Sequence, residues 1–299
     1  MTYLSPGVVV AGVTDSTPTV LVTGATGTVG AFVREALADR ECTVRALVRT
    51  PDLADPTEVA FDFEKPETWG RAFEGGDRLF LVRPPAITRV GDSVLPAIDA
   101  AGRCGVDHVT LLSVLGAEKN PLLPHRRIEK HLEASSLNYT FLRASFFMQN
   151  FDEVHAEDVR EHDELFVPAG DGATSFVDAR DIADVAAVTL TEAGHRNRSY
   201  DVTGSEALDY HDVAAVFSDV LGREITYPRP GAVAFARRWL GRGEPLGFVV
   251  AMVGIYTTAR LGLAGRVTDD VARVLGRDPR SLRAYVQEYQ DAFEPTETA

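Results

Sequence analysis

Cysteine, lysine and long apolar runs are all scarce in this chain, and each scarcity closes off a class of protein. Only Cys42 and Cys104 occur among 299 residues. Two cysteines cannot build a disulfide framework, which favours a reducing, cytoplasmic setting with both as small buried apolar side chains. No Cys-x-x-Cys or His-Glu-x-x-His occurs, and His125 and His131 stand six apart, off one helical face. No metal site is legible. The uncharged, mostly apolar run at residues 245–259 is shorter than the roughly 20 apolar residues a bilayer span needs. It reads instead as a helix that is buried or lines a substrate pocket. Residues 4–13 are mildly apolar but follow no basic segment, so they make a poor signal peptide. Residues 1–18 read as a flexible N-terminal tail or a mis-assigned start.

Positive charge is scarce too. Against 44 acidic residues stand 30 basic ones, for a formal net charge of −14; three are lysines (Lys65, Lys119, Lys130) and the remaining 27 arginines. Such a field repels nucleic acid and anionic membrane surfaces. Neither is expected as a direct partner, which leaves a small-molecule substrate and allows a homo-oligomer. The 45% hydrophobic and 8% aromatic shares are globular values and exclude intrinsic disorder.

Alternation of strand and helix patterns is what the sequence does contain. A β-branched run at 19–23 leads into the turn Gly-Ala-Thr-Gly-Thr-Val-Gly, and Phe32, Val33, Ala36 and Leu37 then fall at helical spacing. Further strands are expected at 43–48, 59–63, 78–82, 108–114, 139–142, 165–167 and near 199–202. Helices are expected at 94–104, 126–135, 181–191 and 211–221, the last stopping at Gly222, with an N-cap at Thr268 and a final helix after Pro279. This spacing implies an α/β fold with a parallel, doubly wound sheet. The division expected is a nucleotide-binding core over 19–150 and a smaller, mostly helical substrate lobe over 151–299 that shares strands with the core.

The glycine turn lies between a strand and a helix, the context in which such a motif carries meaning. Gly24 allows the tight turn, Gly27 lets the backbone approach a pyrophosphate, and Gly30 permits close helix–strand packing. The helix start at Thr28 and Val29 offers amide donors and a positive partial charge, and the Thr26 and Thr28 hydroxyls can add to them. At the end of the second strand, where NAD enzymes usually place a carboxylate, stands Arg49. A guanidinium fork matches a 2′-phosphate, so NADP is favoured over NAD, with Arg34 able to share the role. Asp62 and Phe63 would lie near the adenine, and Pro84 near the ribose and pyrophosphate.

Taken together, TGATGTVG, ALVR, LLSVLGA, IEKHLEASSLNYTFLRASFFMQN, FVDARDIADVA and DVARVLGRDPRSLRAYV resemble the NmrA-like group of atypical short-chain dehydrogenases/reductases. Within it, LRASFFMQN and GDGATSFVDARDIA look most like the branch holding ergot-alkaloid iminium reductases and their bacterial relatives. The resemblance implies a Rossmann-type NAD(P)-binding fold and an oxidoreductase. The group also holds quinone reductases and non-catalytic NADP-sensing regulators.

Relatives of the wider family carry a strand-end serine and then Tyr-x-x-x-Lys, the tyrosine donating a proton to a reduced carbonyl oxygen. Here Ser113 ends the fifth strand, and the later frame is His125-x-x-x-Glu129. Three readings follow. His125 donates the proton; or an iminium substrate needs none, with Glu129 helping to attract the cation; or the protein only senses cofactor. Ser113 also borders the cofactor crevice. Phe147, Asn150 and Tyr256 are the substrate-side candidates, Tyr256 also as a substitute acid. Arg143 is expected to anchor a strand end or a buried carboxylate. The reading overall is an NADPH-dependent reductase of a small organic iminium or imine, carbonyl or conjugated C=C bond.

Overall fold

The computed structural model describes residues 17–295; of the N-terminal tail, all but Thr17 and Pro18 lies outside the described residues. Seven parallel strands form one sheet in the order β3-β2-β1-β4-β5-β6-β7. They are β1 (Thr19–Thr23), β2 (Thr43–Val48), β3 (Glu58–Ala60), β4 (Arg78–Leu81), β5 (His108–Val114), β6 (Asn138–Ala144) and β7 (Arg198–Val202). Because the central strands are buried on both faces, they read as continuous apolar runs rather than alternating ones.

Period-2 geometry sends their side chains into two separate cores. Val20, Val22, Phe80 and Leu142 meet Val33 and Leu37 of α1 (Thr28–Ala38) and Ile182 and Ala186 of α7 (Ala179–Thr191). Leu21, Leu79, Leu81 and Leu111 face the other way, against α2 (Trp69–Phe73), α3 (Val94–Arg103) and α4 (Pro124–Ala134). A third core, rich in aromatics, is built by α5 (Asn150–Glu153), α6 (Ala156–His162), α8 (Tyr210–Leu221), α9 (Ala232–Gly241), α10 (Leu246–Arg260) and α12 (Leu282–Glu288). The short α11 (Asp270–Leu275) instead packs Val271 into the first core. No helix among the described residues is long and apolar enough to cross a membrane.

The sheet order reverses direction between β1 and β4, and in doubly wound sheets ligands bind outside the strand C-termini at that switch point. Thr23 ties the two strands there: its hydroxyl donates to the Phe80 carbonyl at 3.1 Å and accepts from the Val82 amide at 2.8 Å.

Several expected elements end differently. The third strand stops at Ala60 because the backbone beyond it turns to serve side chains: the Asp62 amide donates to the Thr68 hydroxyl and its carbonyl takes the Trp69 indole N–H at 2.8 Å. Residues 165–167 form no strand; the isolated bridge beside them pairs Glu164 with Thr226. Thr268 does not cap a helix: its hydroxyl donates to the Asp201 carbonyl, pinning the start of α11 to β7, and Asp269 takes the cap position. The uncharged run is a helix, α10, but only the stripe Val249, Met252, Tyr256 and Ala259 is buried. Both cysteines are free and half-buried.

Gly30 is the tightest point of the design. A Cβ there would sit 2.0 Å from the Gly24 carbonyl oxygen, whereas one on Gly27 would meet that oxygen at 3.4 Å, an ordinary contact. Gly30→Ala should therefore cost about 3 kcal/mol or more in chemical denaturation. Gly27→Ala should cost under about 1 kcal/mol, and equal losses would refute this account of the turn.

Candidate functional site: the crevice at the strand C-termini

The glycine turn opens the crevice. Gly24 holds φ at +62°, the left-handed region that glycine enters without strain, and the Gly27 amide closes the turn on its carbonyl at 3.0 Å. Gly27 is the N-cap of α1, with no side-chain cap and no acidic residue in the first turn. The positive end of the helix is therefore left uncompensated by its own sequence, the arrangement that receives phosphate. Thr26 is exposed, and Val29 is buried, so Val29 can offer only its backbone amide. Because the fold itself does not need glycine at 27, the open space there fits a pyrophosphate pressed against the backbone. The Thr28 hydroxyl is not free: it donates to the Glu153 carboxylate of α5 at 2.5 Å.

The two candidate 2′-phosphate arginines differ in state. Arg34 is held by Asp55 at 3.0 Å and Glu58 at 3.9 Å, while Arg49 is exposed and makes no ion pair with any described residue. Asp62 is half-buried, with one oxygen taking the Glu64 amide at 3.0 Å and the other 3.8 Å from Lys65. Phe63 is core, edge-on to Phe61 with centroids 4.7 Å apart. Beyond β4, one Arg83 nitrogen donates to the carbonyls of Pro84 (2.9 Å), Pro85 (3.1 Å) and Ile87 (2.8 Å), shaping the loop in which Pro84 sits.

At the end of β5, Ser113 is only 1% exposed, and its hydroxyl donates to Glu129 Oε1 at 2.7 Å. Glu129, on α4, is fully buried. Arg143 of β6 donates to it through Nε and Nη2, both at 3.0 Å, and Arg126 through Nη1 at 2.9 Å. Arg126 is an i,i+3 partner on the same helix, and Arg143 does anchor a buried carboxylate. The same geometry removes Glu129 as an attractor of cations, because two guanidiniums already neutralise it. It also spends the one hydroxyl hydrogen of Ser113 on Glu129.

His125, in the first turn of α4, is half-buried, and burial together with the Arg83 charge pulls its pKa down to about 4. At neutral pH it is a neutral imidazole. The structure thus joins Ser113 to Glu129 directly, and brings the charges of Arg83 and Glu129 to bear on His125. Tyr256 stands apart from them: it is 3% exposed, bonded to His155 Nε2, and packed among Tyr210, Phe146 and Phe235 in the aromatic core. Burial holds its phenol far above the ordinary range. Phe147 is half-buried on the α1–α7 side and bridges to Val177. Asn150 opens α5, its carbonyl receiving the Val154 and His155 amides at 3.1 and 3.2 Å.

Two contacts at this crevice have no local signature. Gln149 donates to the Asp178 carboxylate at 3.0 Å and accepts from the Ala179 amide at 2.8 Å, fixing the segment after β6 to the start of α7. The Thr28–Glu153 bond spans 125 residues. No periodicity or spacing could have flagged either.

Comparison with known proteins fits this geometry. A profile of the NmrA-like family matches residues 16–237. The chain is 33% identical to the NAD(P)H azoreductase of Xenophilus azovorans, over 92% of this chain and 99% of that one. It is 30% identical to the agroclavine dehydrogenase of Claviceps fusiformis, over 72% of this chain and 75% of that one. Among solved structures, Citrobacter sp. triphenylmethane reductase complexed with NADP(H) superposes with a TM-score of 0.82 at 25% identity, over 90% of this chain and 99% of that one.

Two outcomes follow from the buried charges. Glu129→Ala removes the buried carboxylate that Ser113, Arg126 and Arg143 share, leaving the guanidiniums only their outer partners Glu133 and Glu118, and should cost about 3 kcal/mol of stability; a loss under about 1 kcal/mol in denaturant would contradict the network. His155, 1% exposed, is held by burial at a pKa of about 4. A histidine depressed below its unfolded value of about 6.5 contributes fully above that pH, and its contribution fades as pH falls toward 4. Between pH 7 and 4 it should account for about 3 kcal/mol of lost stability. The His155→Asn variant should show a correspondingly shallower slope in pH-dependent unfolding, and parallel slopes would refute the assignment.

Proposed function

The chain belongs to the NmrA-like family, and on that premise we propose an NADPH-dependent reductase that delivers hydride to a small, electron-poor organic acceptor. Oxidoreductase chemistry and NAD(P) binding come with its relatives: an azoreductase and a clavine dehydrogenase at 30% identity or more, and a reductase of the same fold complexed with NADP(H). The choice of NADPH is supported by Arg49, a guanidinium just past β2 that makes no ion pair with any described residue, on the strand next to the one that leads into the uncapped helix start. That is the single observation carrying the reading.

The bound nicotinamide would supply the hydride. Gly24, Gly27, Gly30 and the first amides of α1 would seat the pyrophosphate, Arg49 the 2′-phosphate, and the Arg83-shaped loop at Pro84 would border the ribose. Among acceptors, an iminium fits best. A carbonyl becomes an oxyanion that wants a proton donor, and this crevice is poor in donors: the Ser113 hydrogen is committed to Glu129, Tyr256 is buried in the lobe, and His125 has lost its charge. Hydride addition to C=N⁺ yields a neutral amine, so no oxyanion needs help. His125 remains the one partly exposed titratable candidate for contact with substrate, and Phe147 and Asn150 the neighbours that would wall the pocket. Two free cysteines suit a cytoplasmic setting.

Fluorescence titration tests this directly. The wild type should bind NADPH about ten- to a hundredfold more tightly than NADH, the range of one charge-assisted bidentate contact, and Arg49→Ala should erase the difference. Equal affinities in both proteins would remove the 2′-phosphate argument. Turnover of iminium substrates ahead of carbonyls supports the reductase reading, and cofactor binding without turnover across both would favour a sensor instead.

A further inference from the structure

The cofactor reading leaves one carboxylate out of place. Glu153 bonds to Thr28, the first residue of α1, and so occupies the positive end of the very helix that would receive a pyrophosphate. A carboxylate is well placed there while no other anion is present, but beside a diphosphate it becomes a like charge at close range. We propose that Glu153 is an anionic competitor for the pyrophosphate subsite, which weakens dinucleotide binding and speeds cofactor release. The inference rests on the cofactor reading above.

Its surroundings allow it to leave without disturbing the fold. The α5 turn is held through other side chains. Phe151 is buried in the aromatic core, Asp152 accepts from the Tyr285 hydroxyl of α12, and Gln149 is fixed to Asp178. The Glu153 side chain alone is exposed, so exchange with a phosphate needs only a rotamer change. When cofactor departs, the carboxylate returns to Thr28.

Two substitutions separate competition from a structural tie. Glu153→Gln keeps an acceptor for the Thr28 hydroxyl and removes the charge; Glu153→Ala removes both. Competition predicts that both variants bind NADPH and NADP more tightly than wild type, by about three- to tenfold at low salt, with the gain shrinking as salt rises. Adenosine 2′-monophosphate, which lacks the pyrophosphate, should bind all three proteins alike. If Gln matches wild type and Ala binds more weakly, Glu153 is a tie that pre-forms the turn and the proposal is wrong. Equal NADPH affinity in all three also overturns it. Absence of NADPH binding even in wild type would sink the cofactor reading itself, and this inference with it.

Discussion

Everything at the crevice depends on how closely α1 lies against the end of β1. With a Cβ on Gly30 the helix could not approach the Gly24 carbonyl, and its uncapped first turn would no longer point into the space between β1 and β4. Close backbone approach fixes position; the missing cap leaves amides open; the switch in strand order provides the opening. Each of these is a property of backbone geometry, which is why a chain so rich in negative charge can still present an uncapped helix start at this crevice. The positive potential of that start comes from peptide dipoles, independent of the net charge.

Much of the sheet was legible because buried parallel strands write themselves as continuous β-branched runs, and because Gly24, Gly27 and Gly30 sit between such a run and an amphipathic helix. Gly222 was equally readable: it ends α8 in the left-handed region, at φ +67°. Failures came where side chains recruit backbone. Asp62 serving Trp69 shortened β3, and Thr268 serving Asp201 displaced a helix cap. These bonds join residues whose local patterns favour strand and cap, and tertiary partners overrode them.

The site itself was less legible than the fold. Ser113, Glu129 and Arg143 could each be singled out in the sequence, but not that one carboxylate would hold a serine and two arginines. That arrangement bears on their chemistry: the serine hydroxyl donates to the carboxylate, and the carboxylate is met by two guanidiniums. The surroundings of Tyr256 were hidden for a similar reason, since its partner is His155, the residue before α6, within the aromatic core. Burial, invisible in a linear pattern, set the outcome in both cases.

The Glu129 network also bears on how this crevice can diverge. The resemblance sets His125-x-x-x-Glu129 against Tyr-x-x-x-Lys, with Glu129 in the place of the lysine. A lysine at that point would set a third cation against Arg126 and Arg143 in a fully buried space, a charge cost that no single step could carry. Reaching the tyrosine–lysine solution would require losing both arginines first, through intermediates with an unsatisfied buried acid. The buried network thus acts as a barrier to a lysine at this point, one set by charge rather than by the shape of the backbone.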